Sequence, residues 1–170
     1  MEINNQIAAS QVGSGAIPGM DEDYVGPSIR CVLFELDSEI YGVNVKKVKE
    51  VLRVSTIRPV PGTEEQVLGV INVRGVIVTI LDLRRFFGIQ PKDHDDLSRI
   101  IIFELDEDQM VGVLVDSVME VKDIPEDKFD TVTGKDTNRV AGRHIQAIAH
   151  YNDNVVILID IDSMFEEIDD

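Results

Sequence analysis

Phe34-Glu35-Leu36-Asp37 occurs a second time in this chain as Phe103-Glu104-Leu105-Asp106, and the sequence after each copy continues to match. The alignment needs one inserted residue in the second copy. The matched positions are two Gly-Val pairs, two valines and two Glu-Val pairs: Gly42-Val43 with Gly112-Val113, Val48 with Val118, and Glu50-Val51 with Glu120-Val121. The chain therefore contains a duplicated module.

Later landmarks return in the same order, since Ile80-Leu81-Asp82-Leu83 is matched by Leu158-Ile159-Asp160-Ile161. We place the first repeat at about residues 30–88 and the second at about residues 99–165 of a single domain spanning 28–165. Two similar units that pack together create a seam, and such seams are favoured binding places.

The core is predicted to consist of β-strands. Of the 170 residues 44% are hydrophobic, but only 5% are aromatic and there is no Trp, so Val, Ile and Leu must fill the core. Short apolar or alternating segments recur between turn signals such as Asp37-Ser38 and Asn152-Asp153, with little helical periodicity. This pattern predicts an all-β fold with minor helix: two small closed or nearly closed barrels and a short C-terminal helical turn.

Charge is concentrated at the two ends. The net charge is −16, residues 1–29 carry four acids and no base, and residues 160–170 carry six acids and no base. We predict flexible acidic tails at 1–27 and 166–170. The acidic balance argues against nucleic acid and anionic membrane partners. Because no signal sequence or membrane-length apolar run is present, we expect a cytoplasmic protein without direct membrane insertion.

No segment of the sequence satisfies a motif for catalysis, a cofactor or a bound metal. Asp106-Glu107-Asp108 opens like a calcium loop, but Val111 stands where the loop needs Gly. Thr133–Thr137 resembles the end of a phosphate loop, but Phe129 replaces its first Gly. No Ser, Cys or Thr carries the local signature of an activated nucleophile. We predict a protein that is not an enzyme.

Several segments together resemble the CheW family of bacterial chemotaxis coupling proteins. They are Glu39–Val45, Gly69–Gly75, Val76–Val78, Asp82–Arg84 and Val111–Val118. The resemblance covers roughly Ser28 to Phe165. It implies two intertwined five-stranded SH3/OB-like barrels and a non-enzymatic adaptor. In receptor arrays such an adaptor joins the cytoplasmic tip of chemoreceptors to the regulatory domain of the histidine kinase CheA.

The resemblance also implies two contact surfaces. A receptor-binding groove between the barrels is expected to include Val48, Gly69, Ile101, Gly112 and Val118. For the two glycines, a role in tight turns or in packing within the barrels is equally open. A kinase-binding surface at a barrel edge is expected to include Ile57, Val60 and Ile77, since prolines flank part of this segment.

Glu50 and Arg74 match positions at which the family has a facing acid and base. We predict that they form an ion pair near the groove and that the pair orients Arg74 toward the receptor. If exposed, the pair contributes at most about 1 kcal/mol, whereas breaking a buried pair costs roughly 3–5 kcal/mol.

Two other functions remain open. A CheW-like adaptor can serve a parallel pathway such as pilus motility, which has the same surfaces but different partners. A sensor of a small ligand or metal ion is the alternative from another class, using the seam or the Asp93-His94-Asp95-Asp96 segment. For that segment, a solvated linker between the repeats is the favoured interpretation.

Overall fold

The computed structural model describes residues 26–105, 109–131 and 144–168. These ranges contain the first repeat and most of the second. All but the last two residues of the tail predicted at 1–27 lie outside them, as do residues 106–108 and 133–137 of the segments that resemble ion and phosphate loops.

The first repeat forms five strands and one helical turn. They are β1 (Ser28–Leu36), β2 (Glu39–Asn44), β3 (Val48–Arg53), β4 (Val67–Val73), β5 (Val76–Asp82) and α1 (Leu83–Phe86). A 3-10 turn at Val45–Lys47 separates β2 from β3.

The described residues of the second repeat form the same series with one additional strand. Its elements are β6 (Arg99–Glu104), β7 (Met110–Val115), β8 (Ser117–Pro125), β9 (Phe129–Thr131), β10 (Ile145–Tyr151), β11 (Asn154–Ile159) and α2 (Ile161–Ile168). The prediction of a mostly β fold with minor helix is confirmed. Helix α2 extends to Ile168, into the segment that we predicted as a tail from residue 166.

Each of the two sheets contains strands from both repeats. The six-stranded sheet has the order β8-β1-β2-β11-β10-β9, and the five-stranded sheet has the order β3-β6-β7-β5-β4. Strands β1 and β2 of the first repeat thus lie among strands of the second, and β6 and β7 of the second lie among strands of the first. The two halves are intertwined, as the resemblance implied.

The extra strand in one sheet has a local cause. Strand β9 pairs with β10, whereas the matching place beside β4 holds only a single bridge between Arg58 and Val70. Pro59 and Pro61 surround Val60 and cannot donate backbone hydrogen bonds, so pairing cannot continue along this segment. The expectation of five strands in each unit therefore holds for one sheet, and the other has six.

Gly69 makes the Arg58–Val70 bridge possible. The backbone groups of Arg58 and Val70 exchange two hydrogen bonds of 2.9 Å. A Cβ on Gly69 would lie 2.0 Å from the carbonyl oxygen of Arg58, and the φ angle of Gly69 is +148°. Only glycine permits this backbone approach, so Gly69 has a structural role in the sheet.

The described residues form a core with three parts. One lies within the six-stranded sheet and includes Cys31, Leu33 and Leu158. Another lies within the five-stranded sheet and includes Ile80 and Ile100. The third and largest, which we call the seam core, joins both sheets to the two helices. Its members include Phe34, Tyr41, Val43, Phe86, Ile101, Phe103, Val113, Met164 and Phe165.

A buried ion pair fixes the point where the chain crosses from one sheet to the other. Asp116, the single residue between β7 and β8, accepts hydrogen bonds from Nε and Nη2 of Arg84 at 3.0 and 3.1 Å. The side chains of Arg84 and Asp116 are 10% and 12% exposed. Arg84 also contacts Asp37 in the β1–β2 turn and the carbonyl oxygen of Gln90 in the linker. This network ties both repeats together.

Burial by itself would raise the pKa of Asp116. Hydrogen bonds from the Arg84 side chain and the Asp37 backbone N–H, together with the positive charges of Arg84 and Lys92, outweigh burial and lower that pKa. The ionised carboxylate is therefore the form that stabilises the fold.

Replacing Asp116 by Asn is expected to destabilise the protein by about 3 kcal/mol near pH 7, because Arg84 loses its buried partner. The folded-state pKa lies below the unfolded value of about 3.9, so the ionised carboxylate stabilises the fold above that value. This contribution is lost as the pH falls through the folded-state pKa. Denaturant unfolding of wild type and variant should show a difference that is constant above about pH 5 and shrinks below about pH 4.

Asp153→Asn is the control, since Asp153 is an exposed turn residue with a positive φ that Asn tolerates. A wild-type advantage over Asp116→Asn that stays constant down to about pH 3 contradicts the assignment.

Gly69→Ala is expected to destabilise the fold by about 3 kcal/mol, from backbone strain and the loss of the Arg58–Val70 hydrogen bonds. Gly75→Ala is the matched control. Gly75 also has a positive φ of +90°, but nothing lies within 4 Å of its added Cβ, so only about 1 kcal/mol is expected. Chemical denaturation measures both, and equal losses would show that the close approach at Gly69 is unimportant.

Candidate functional site

The two repeat-equivalent strands β3 and β8 form the outer edges of the two sheets. Strand β3 pairs with β6, and Val48 lies opposite Phe103. Strand β8 pairs with β1, and Val118 lies opposite Phe34. Both pairings shift register at the next residue. Val48 and Val118 are half-buried and pack against the seam core, so each lies at one margin of the seam.

Three exposed apolar side chains lie beside these valines on the same strands. Val51 is 39% exposed, Met119 is 46% exposed and Val121 is 53% exposed. Val51 lies opposite Ile101 and Val121 lies opposite Val32, and both of these partners belong to the seam core. Val51 and Val121 were not predicted as site residues, although the repeat alignment already paired them.

Ile101 and Gly112 have different surroundings from those expected of groove residues. Ile101 is fully buried in the seam core. It is therefore a core residue without a partner-facing surface, which corrects the prediction for Ile101. Gly112 is also buried, and an added Cβ would lie 2.6 Å from Cδ1 of Ile80, inside the five-stranded sheet's own core. For Gly112, as for Gly69, the packing interpretation describes the observed surroundings.

Glu50 and Arg74 are in contact. Nη1 of Arg74 donates to Oε1 of Glu50 at 3.2 Å, and Nη2 donates to Oε2. Arg74 occupies the β4–β5 turn with a φ of 49°, and its side chain is 69% exposed, against 23% for Glu50. The hydrogen bond from Arg74 lowers the pKa of Glu50. The two-point contact fixes the direction of a cation at the surface, with little effect on stability because water screens the pair.

Ile57, Val60 and Ile77 lie along the β4 side of the five-stranded sheet. Ile57 and Val60 flank Arg58, which bridges to Val70 on β4, and Ile77 on β5 lies opposite Asn72 of β4. Val60 is 40% exposed and Ile77 is 63% exposed, whereas Ile57 is half-buried and packs against the core of its sheet. Two of the three side chains are therefore exposed.

An open cleft of ≈ 690 Å³ lies between the segment after β3, the end of β5 and the linker. Its lining includes Ile57, Leu68, Asp82, Arg85 and His94. Burial raises the pKa of Asp82, although backbone N–H groups of α1 and the cations of Arg85 and Arg84 oppose this effect. Within the described ranges, no group of three or more His, Cys, Asp or Glu side chains is arranged to hold a metal ion.

The seam itself is occupied by side chains of the seam core. No helix in the described part of the chain is both long and apolar enough to cross a membrane. In the described part of the chain, the margins of the seam and the outer strands of the sheets carry exposed apolar side chains.

Comparison with known proteins gives a consistent result. A family model described as "CheW-like domain" matches residues 30–169. The "Chemotaxis protein CheW" of Thermotoga maritima is 33% identical over 135 residues, which covers 79% of this chain and 86% of that protein. The "Chemotaxis protein CheW" of Klebsiella aerogenes is 27% identical over 133 residues, covering 78% and 79%.

A solved structure agrees with the sequence matches. The crystal structure of a scaffolding protein, TtCheW from Thermoanaerobacter tengcongensis, superposes with a TM-score of 0.75 at 34% sequence identity, and the match covers 82% of this chain and 94% of that one. The chain belongs to the CheW-like domain family and is a chemotaxis adaptor of that family.

Proposed function

We propose that this protein is a non-enzymatic cytoplasmic adaptor that couples the cytoplasmic tip of chemoreceptors to the regulatory domain of the histidine kinase CheA. The observation that carries the proposal is the match of the CheW-like domain to residues 30–169. The adaptor is recruited to receptor arrays by binding the receptor tip.

The receptor contact uses the margins of the seam. Val48 and Val118 are repeat-equivalent, half-buried and open toward exposed Val51 and Val121. Exposed and half-buried apolar side chains of this kind suit the apolar face of a helical partner. We assign Gly69 and Gly112 structural roles and no direct receptor contact. Because neither has a side chain, the backbone of Arg58 can approach Gly69 and the side chain of Ile80 can approach Gly112.

Arg74 adds a directed charge to the receptor contact. Its two-point contact with Glu50 holds the guanidinium in place before a partner arrives. A cation that is already oriented loses less conformational freedom on binding than a free arginine does. Arg74 therefore orients the receptor helix, while the apolar margins supply the buried contact area.

The kinase contact uses the β4 side of the five-stranded sheet. Ile77 and Val60 expose apolar surface there, and Val76 beside them is 47% exposed. Exposed apolar side chains near a sheet edge are a common basis for protein–protein contact. Half-buried Ile57 supports this surface from the core side.

If the kinase and receptor contacts are separate, a substitution in one contact should weaken binding of one partner and leave binding of the other unchanged. Ile77→Asp should weaken binding of the kinase regulatory domain about tenfold or more and leave binding of a receptor cytoplasmic fragment unchanged, because an apolar contact becomes a desolvated charge. Val118→Asp should do the reverse. Titration calorimetry of each purified variant against each partner measures both affinities.

Val155→Asp is the matched control for Ile77→Asp, since Val155 is 49% exposed but lies on β11 of the six-stranded sheet. Melting temperatures check the fold, and Val118→Ala replaces Val118→Asp if the charged variant unfolds. A wild-type protein that binds neither partner at tens of micromolar overturns the proposed function.

A further inference from the structure

The duplicated strand pairs differ in charge at one position. In the six-stranded sheet, Arg30 on β1 lies opposite Asp123 on β8. The repeat-equivalent pair in the five-stranded sheet is Arg99 on β6 opposite Arg53 on β3. The register is equivalent through both pairings, including the shift beside Val48 and Val118. At this position the six-stranded sheet therefore pairs a cation with an acid, whereas the five-stranded sheet has two cations on directly opposite residues.

The Arg30–Asp123 ion pair shows which group this position in the sheet can bind. Nε of Arg30 donates to Oδ1 of Asp123 at 2.7 Å, and Nη2 donates to Oδ2 at 3.0 Å. This is the parallel two-bond geometry in which arginine recognises a carboxylate. The backbone at this place thus accommodates a guanidinium with a carboxylate beside it.

The Arg53–Arg99 pair lacks that carboxylate. Like charges directly opposite on neighbouring strands destabilise a sheet. In the described ranges, no Asp or Glu oxygen lies within ion-pair distance of either guanidinium. The nearby Asp95 carboxylate is already engaged, since it accepts hydrogen bonds from the backbone N–H groups of Leu97 and Ser98.

The guanidinium of Arg99 is held by hydrogen bonds, whereas the side chain of Arg53 is exposed to solvent. Nη1 of Arg99 donates to the carbonyl oxygens of Asp96 and Ser98 at 2.8 and 2.7 Å, which anchors one side of its guanidinium. Arg53 is exposed at the end of β3. An incoming carboxylate would therefore meet one cation held in place and a second that is free to close on it.

The location of the pair points to a particular partner. Arg53 is the last residue of β3, and the segment that follows leads directly to Ile57 and Val60 on the kinase surface. Arg53 lies four residues before Ile57, and four residues span at most about 14 Å. A partner that covers Ile57 and Val60 can therefore place an acidic side chain at Arg53.

We propose that the Arg53–Arg99 pair binds a carboxylate side chain of the protein partner that occupies the Ile57–Val60 surface, taking the place that Asp123 fills in the other repeat. This inference rests on the proposed function, because it assigns the charge of the same kinase contact. A protein carboxylate is favoured over an anionic membrane because the net charge of −16 repels a lipid surface.

Arg53→Asp tests the proposal by recreating the Arg30–Asp123 arrangement in the five-stranded sheet. The variant should melt at the same or a higher temperature than wild type, because Arg99 gains a partner. Its affinity for the kinase regulatory domain should fall about tenfold or more, and this loss should exceed any loss of affinity for the receptor fragment. Arg53→Gln, which removes one cation without adding an acid, should lie between wild type and Arg53→Asp.

Salt gives a second readout. Raising it from about 0.1 M to about 1 M shortens the screening length from about 10 Å to about 3 Å, so wild-type affinity should fall more steeply than that of Arg53→Asp. Lys128→Asp is the control for net charge. It removes an exposed cation from the 3-10 turn before β9 and should leave both affinities unchanged.

The outcomes separate this inference from the function on which it rests. Wild-type protein that does not bind the kinase domain overturns the proposed function. Wild-type binding that Ile77→Asp weakens but Arg53→Asp affects no more than Lys128→Asp does overturns the carboxylate site alone. A marked drop in the melting temperature of Arg53→Asp also overturns it, because the arginine pair would then be structural.

Discussion

The exchange of strands around a shared seam core is the constraint on which the rest of the structure depends. Neither repeat forms a sheet by itself, since β1 and β2 need β8 and β11, and β6 and β7 need β3 and β5. Phe34 and Phe103, the repeat-equivalent aromatic residues, are both fully buried in the seam core. Loosening one sheet would therefore expose apolar surface of the other.

The same exchange determines where partners can bind. Because each repeat sends its third strand across to the other sheet, β3 and β8 become outer strands at the margins of the seam. On these strands Val48 and Val118 pack against the seam core, whereas Val51 and Val121 remain exposed. The buried Arg84–Asp116 pair fixes one of the two crossings, so the position of β8 relative to the five-stranded sheet is set by electrostatics as well as by packing.

Much of the fold could be predicted because the duplication is visible in the amino-acid sequence. The Phe-Glu-Leu-Asp copies align the repeats, and the resemblance to the CheW family supplied the exchange of strands.

The surroundings of individual side chains were harder to predict from the sequence than the fold was. Ile101 lies on a strand that is buried on both faces, and a continuous apolar run does not say which face would meet a partner. The role of Gly69 depends on Arg58, a residue from another part of the sequence that approaches only in the folded sheet. The Arg53–Arg99 pair likewise becomes visible only when the register brings β3 and β6 together.

The central claim is that one cooperative core presents two separate surfaces, and simultaneous binding tests it most directly. Sedimentation velocity of the protein mixed with the kinase regulatory domain and a receptor cytoplasmic fragment measures which species coexist. The account predicts a complex that contains all three proteins, with neither partner reducing the affinity of the other. Displacement of the kinase domain by the receptor fragment would contradict it, because the two partners would then share one surface.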